Sequence, residues 1–106
     1  MKFAPGELYL IDLGMIGKVR PAVIVSREDA NNGVRAVVIC APLTTQNRGS
    51  VYEVPLGKLK VLSKESCVNV QGLASLGHEK LIRPLGRLTS PQFEAVKKAL
   101  RFILDL

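Results

Sequence analysis

The hydrophobic positions near the start of the chain recur every second residue. Leu8, Leu10 and Asp12 alternate with Tyr9, Ile11 and Leu13, the period of a half-buried strand, and Pro5-Gly6 ahead of them reads as its opening turn. The next run, Pro21-Ala22-Val23-Ile24-Val25-Ser26, is rich in β-branched residues and nearly unbroken, which predicts a strand covered on both faces. Asp29-Ala30-Asn31-Asn32-Gly33 follows as a turn, because Asn and Gly accept positive φ at little cost. Arg35 to Pro42 is a third strand of the same buried kind, and the short polar turn between the two predicts an antiparallel hairpin.

A polar loop comes next, Thr44-Thr45-Gln46-Asn47-Arg48-Gly49-Ser50, and then a shorter strand, Val51-Tyr52-Glu53-Val54. A further strand is expected from Ser66 to about Leu73. The stretch from Lys80 to Leu88 alternates loosely, and Pro84 makes it an edge or bulged strand, since proline has no N–H for a ladder. Ser90-Pro91 matches a helix N-cap followed by proline at the first helical position. Phe93, Val96, Leu100, Ile103 and Leu104 then recur at helical spacing, with Lys97, Lys98 and Arg101 largely off that stripe. One face of this helix should lie on the sheet, anchored by Phe93 and Leu100. Five or six short strands and a terminal helix give an α+β, mainly β fold, a small curled antiparallel barrel with a C-terminal helix. No repeat or linker interrupts the chain, so residues 1–106 are expected to form a single domain.

Composition narrows the function classes. With 106 residues the chain has no room for a nucleotide-cofactor domain beside a substrate domain. Fifteen Lys and Arg against nine Asp and Glu leave a net charge of +6, a footprint of nucleic-acid binding that also serves plain solubility. Cys40 and Cys67 sit in apolar runs as small hydrophobes, and the lone His78 completes no zinc set, so no metal and no cofactor are expected. His78, between Gly77 and Glu79, reads as a surface loop residue. Met1 to Gly6 runs straight into a strand pattern, without the features of a signal peptide, and the apolar runs fall short of the roughly 20 residues that cross a bilayer. A cytoplasmic protein with no membrane association is expected.

Familiar catalytic constellations are mostly absent. There is no phosphate-cradling Gly-x-x-x-x-Gly-Lys loop, and the carboxylates are scattered singly, which disfavours a two-metal site. What remains is Arg, Thr, Ser, Gln and Asn at strand ends, an inventory suited to phosphate binding. Two segments stand out, Lys18-Val19-Arg20-Pro21 and Pro42-Leu43-Thr44-Thr45-Gln46-Asn47-Arg48-Gly49. Antiparallel pairing sets the start of one strand beside the end of the other, so Arg20 and Thr44 share one rim of the sheet. Read on these residues alone, Arg20 is a solvated edge cation and Thr44-Thr45 an ordinary turn pair, Arg83 and Arg87 are solubilising charges on an edge strand that could widen the basic face, and Arg48 is either a phosphate contact or a solvated charge.

In order along the chain, Gly6-Glu7-Leu8-Tyr9, Lys18-Val19-Arg20-Pro21-Ala22-Val23-Ile24-Val25-Ser26 and Pro42-Leu43-Thr44-Thr45-Gln46 resemble the successive blocks of MazF/PemK toxins. The similarity continues through Tyr52-Glu53-Val54, Ser66-Cys67-Val68-Asn69-Val70-Gln71 and Gly86-Arg87-Leu88, covering essentially the whole chain. The resemblance implies an SH3-like barrel of the MazF/CcdB type and a homodimer. It further implies metal-independent, sequence-selective cleavage of single-stranded RNA, and a cognate antitoxin that occupies the RNA site. It makes Arg20 the main catalytic residue and Thr44 its companion. Lys18, Ser26, Thr45, Gln46, Asn47, Arg48 and Gln71 are the candidate RNA contacts. The chain departs from the commonest family form in two places. Asp12-Leu13-Gly14-Met15-Ile16-Gly17-Lys18 is shorter and lacks an acidic residue of the family's loop, and Gln71-Gly72 stands where an Asp-Gln or Glu-Gln pair is usual. Both regions shape the RNA groove, so the departures bear on specificity more than on fold.

The chemistry expected is attack of a ribose 2′-hydroxyl on the adjacent phosphorus, giving a 2′,3′-cyclic phosphate and a 5′-hydroxyl end. Two other readings suit a small basic barrel: a module that binds nucleic acid without cutting it, and a CcdB-like gyrase-inhibiting toxin. The CcdB toxins lack the arginine–threonine pair, and Arg20 with Thr44 favours the nuclease over both.

Overall fold

A computed structural model describes residues 3–14, 18–28 and 37–106. The expected turn at 29–33, the first two residues of the expected third strand and positions 15–17 of the short loop lie outside the described residues. Seven strands are described: β1 (Glu7–Asp12), β2 (Val19–Ile24), β3 (Val37–Thr44), β4 (Glu53–Lys58), β5 (Glu65–Asn69), β6 (Ala74–Gly77) and β7 (Leu81–Arg87). One helix, α1 (Ser90–Leu104), follows them. The sheet is antiparallel, in the order β4-β5-β3-β2-β1-β7, with β6 added to β3. A mainly β fold with a C-terminal helix is the expected class. Among the described residues β4 and β7 remain the two ends of the order and do not pair with each other.

The sequence pattern explains how the layers fill. On β2, Val23 belongs to the core beneath the helix, whereas Ala22 and Ile24 belong to clusters with Cys40 and with Phe3 and Val38. All three are buried, as an unbroken apolar run requires. On β1 the alternation holds: Leu8 joins the helix-side core, while Tyr9, Ile11 and Leu13 pack with the other clusters. Among the described residues β7 pairs only with β1, and the register between them slips twice, with Pro84 opposite Tyr9. It is the bulged edge strand that Pro84 predicts.

Three expectations are corrected. The strand expected at 51–54 begins two residues later and runs to Lys58, because Val51 and Tyr52 form a turn. The single strand expected from Ser66 to Leu73 breaks into β5, a 3-10 turn (Val70–Gly72) and β6. Asn69 caps that turn, its side chain accepting the Gln71 N–H at 3.1 Å, and such local bonding competes with a sheet ladder. The helix is capped by Thr89, not Ser90: Thr89 Oγ1 accepts from Gln92 N and Gln92 Oε1 accepts from Thr89 N, a capping box with Pro91 in the first turn. On the helix the buried residues are Val96 and Ala99, with Phe93, Leu100 and Ile103 packed at the margin, while Leu104 is half exposed. No helix among the described residues is long and apolar enough to cross a membrane.

Candidate active site

The hairpin register fixes the first part of the site. Ala22 faces Pro42, Val23 faces Ala41 and Ile24 faces Cys40. Continuing that register to the start of β2 sets Arg20 across from Thr44 at the last residue of β3, on the sheet face shared by Ala22 and Pro42. Arg20 is exposed while Ile11, its neighbour on β1, is buried, so the guanidinium rises from a rigid three-strand platform.

Arg20 and Thr44 line one cleft of about 210 Å³. Pro21, Leu43 and Leu62 form its apolar parts, and Thr45, Ser63, Lys64 and Ser66 complete it. The lining therefore holds two cations and four hydroxyls, the chemistry of an anion site. Thr44 Oγ1 accepts the Gln46 N–H at 3.1 Å. That bond occupies a lone pair and leaves the hydroxyl proton to be donated into the cleft.

The other residues singled out from sequence are placed unequally. Thr45 lines the cleft. Lys18 is exposed and precedes β2, its carbonyl accepting from Leu13 N. Gln46 and Arg48 are spent on the loop itself: Arg48 Nη2 donates to Gln46 Oε1 at 2.7 Å, and its Nη1 lies 3.5 Å from Glu53 Oε2. Asn47 Oδ1 accepts from Gly49 N, and its residue lines a neighbouring hollow. Ser26 sits beyond the far end of β2, six residues or roughly 20 Å along the chain from Arg20, where its hydroxyl accepts the Ile39 N–H. Gln71 is exposed on the 3-10 turn and does not line the cleft. Ser26 and Gln71 are therefore not brought together with Arg20. Arg83 and Arg87 are exposed on the edge strand.

Sequence reasoning missed Leu62, Ser63 and Lys64, which reach the cleft from the connection between β4 and β5, and Ser66, which reaches it from the start of β5. The signal was present: Ser63-Lys64 sets a cation just before a buried strand, as Lys18 does before β2.

Electrostatics distinguish structural from chemical groups. Cys40 is buried, and desolvation pushes its thiol up to about 11. Burial likewise raises Cys67, helped by the Glu53 carboxylate and opposed by Arg48. Both behave as inert packing residues, as expected. His78 is half-buried rather than a free surface residue: its ring stacks edge-on against Phe3 at 4.6 Å, and its Nε2 is buried without a partner among the described residues.

Comparison with known proteins places these features in context. The model of the PemK-like, MazF-like toxins of type II toxin–antitoxin systems matches residues 4–104. A protein of Mycobacterium tuberculosis described as probable endoribonuclease MazF5 is 33% identical over 103 residues, covering 96% of this chain and 93% of its own. Endoribonuclease MazF9 of the same organism is 30% identical over 113 residues, covering 95% of each. A solved mycobacterial endoribonuclease in complex with its cognate antitoxin superposes with a TM-score of 0.82 at 31% identity, over 98% of this chain and 96% of that one.

Proposed function

The chain belongs to the PemK-like, MazF-like toxins of type II toxin–antitoxin systems, and on that premise we propose that it is an endoribonuclease cutting single-stranded RNA at the Arg20–Thr44 cleft. It works as a single domain over residues 1–106, as a homodimer in the cytoplasm, and its protein partner is a cognate antitoxin like the one bound to the mycobacterial relative. The observation that carries the reading is Arg20 and Thr44 on one wall of a cleft lined by cations and hydroxyls.

The reaction follows from those groups. A ribose 2′-hydroxyl attacks the adjacent phosphorus and gives up its proton to solvent as the new P–O bond forms, and the bond to the 5′-oxygen breaks as that oxygen takes a proton from solvent, so the proton balance is zero. The products are a 2′,3′-cyclic phosphate and a 5′-hydroxyl end. Negative charge gathers on the non-bridging oxygens in between. The planar guanidinium of Arg20 holds two such oxygens at once, and a preorganised donor there lowers the barrier because its charge needs no rearrangement. A guanidinium holds its proton too tightly to act as a base near neutral pH, so its role is electrostatic. Thr44 donates its hydroxyl proton to a phosphoryl oxygen, with Gln46 N–H holding the Oγ1 in place. Lys64 brings a second positive charge to the same anion. The lining of cations and hydroxyls supports a mechanism without a divalent ion, and DNA is uncut for want of the nucleophile.

The test is incubation of the purified protein with long single-stranded RNA in excess chelator, followed by end analysis. Discrete fragments with cyclic phosphate and 5′-hydroxyl ends are expected. Retarded RNA without cuts, or cleavage that requires added metal, overturns the mechanism.

A further inference from the structure

A second cleft, of about 170 Å³, adjoins the first and shares Thr45 and Ser66 with it. We propose that it receives a guanine base of the RNA next to the scissile phosphate, read by Glu65 and Asn47. The inference rests on the ribonuclease reading and names the base that its neighbouring pocket selects.

The loop after β3 separates its polar groups into two kinds. Most are consumed within the loop: Thr44 Oγ1 by Gln46 N, Gln46 Oε1 by Arg48, and Asn47 Oδ1 by Gly49 N at 2.8 Å. The Asn47 amide is thereby oriented, with its Nδ2 left as a donor. Thr45, Asn47 and Glu65 all line the second cleft, and the Glu65 carboxylate makes no ion pair among the described residues. Its cross-strand neighbour Lys58 turns away, donating instead to the carbonyls of Leu59 and Leu62. A carboxylate beside an anionic polymer is repelled by it, so its presence there is explained by a specific hydrogen-bonding duty. Its neighbour Lys64 lines the first cleft, so the cation faces the phosphate and the anion faces the adjoining hollow.

The donor and acceptor pattern selects the base. A carboxylate only accepts, and guanine alone among the four bases presents two adjacent donors, N1–H and the N2 amino group, on its pairing edge. Asn47 Nδ2 then donates to O6, completing that edge. Adenine and cytosine each fill one carboxylate oxygen and leave the other unpaired, and uracil offers a single N–H between two acceptors. Pro55 supplies an apolar ring against which a flat base can lie.

The test maps cleavage sites on a long mixed-sequence RNA, then replaces the invariant guanine by inosine, which lacks the N2 amino group. A guanine at one fixed position beside the cut is expected, with inosine there slowing cleavage about tenfold or more. In Glu65→Gln the guanine-to-inosine difference collapses and adenine gains, because the amide offers one acceptor and one donor. No fixed guanine, equal cutting of inosine, or unchanged discrimination in Glu65→Gln overturns the proposal. If the wild-type protein cuts no RNA, the ribonuclease reading falls by itself. The subsite is then decided by binding of 2′-O-methyl oligonucleotides carrying guanine or inosine, where equal affinities overturn it and weaker inosine binding, abolished in Glu65→Gln, supports it.

Discussion

Arg48 and Glu53 clamp the loop that leaves Thr44 and carries Thr45. The guanidinium lies 3.5 Å from Glu53 Oε2, and Glu53 Oε1 accepts the N–H groups of Arg48 at 2.9 Å and Ser50 at 3.2 Å together with the Ser50 hydroxyl. The Glu53 side chain is only 5% exposed, against 67% for Arg48, so the loop is folded over its own carboxylate.

These bonds make loop stability pH-dependent. The Ser50 N–H, then the other donors and Arg48, hold the Glu53 carboxyl below its ordinary range. A depressed folded-state pKa contributes stability that is present above the unfolded value of about 4.3 and disappears as pH falls through the folded one. Glu53→Gln should lower the thermal midpoint at pH 7, and the gap from wild type should narrow progressively as the pH falls below about 4.3. A gap that stays constant over that range refutes the charge-based account.

Arg20→Lys keeps one positive charge but loses the planar fork that holds two oxygens together. Cleavage should fall by about 10²–10³, chiefly in kcat, with Arg20→Ala lower still. Both variants should fold, since Arg20 is exposed at the start of β2. Near wild-type cleavage by the lysine variant, measured on a single-site RNA, removes Arg20 from the mechanism.

Thr44 is tested by the contrast between two substitutions. Thr44→Ser retains the hydroxyl that accepts from Gln46 N and donates toward the phosphate, whereas Thr44→Val keeps the shape and loses both. The valine variant is expected to lose about 10² in kcat and the serine variant less than tenfold. Equal losses would mean that the side chain acts through packing.

How much of this was legible in the sequence depends on the range of the interactions involved. The burial of β2 on both faces could be read from Ala22-Val23-Ile24 alone, and antiparallel pairing then set Arg20 beside Thr44. The break after Asn69 was not legible, because Ser66 to Leu73 is apolar enough for one strand and the interruption comes from a side-chain cap and a close approach to Pro42. Lys64 was missed because a residue's arrival at a cleft 20 positions beyond Thr44 depends on how β5 folds back on β3. Ser26 closes the family-like block that begins at Lys18 and was expected as an RNA contact, yet strand length carries it to the opposite end of β2 from Arg20.

The two cysteines give a chemical measure of core integrity. Each is about 1% exposed, and with a thiol at about 11 only about one Cys40 in a thousand is ionised at pH 8. An aromatic disulfide reagent should label neither in the native protein and both after unfolding in guanidinium. Rapid native labelling of Cys40 would place it outside the core.

Gly72 is held glycine-like by contact rather than by φ. A Cβ there would lie 2.7 Å from Pro42 Cγ and 3.0 Å from Cδ, against a ring fixed in β3 opposite Ala22. Neither partner can swing aside: the ring is closed, and the 3-10 turn is capped by Asn69. Gly72→Ala should therefore cost about 1–3 kcal/mol in denaturant unfolding, the range of overpacked cores. Pro42→Ala removes the obstructing ring, so the double variant should be more stable than the sum of the two losses implies. Strict additivity would show that the turn and β3 do not press on each other, and the path from Gly72 through Pro42 toward Thr44 would then carry no strain.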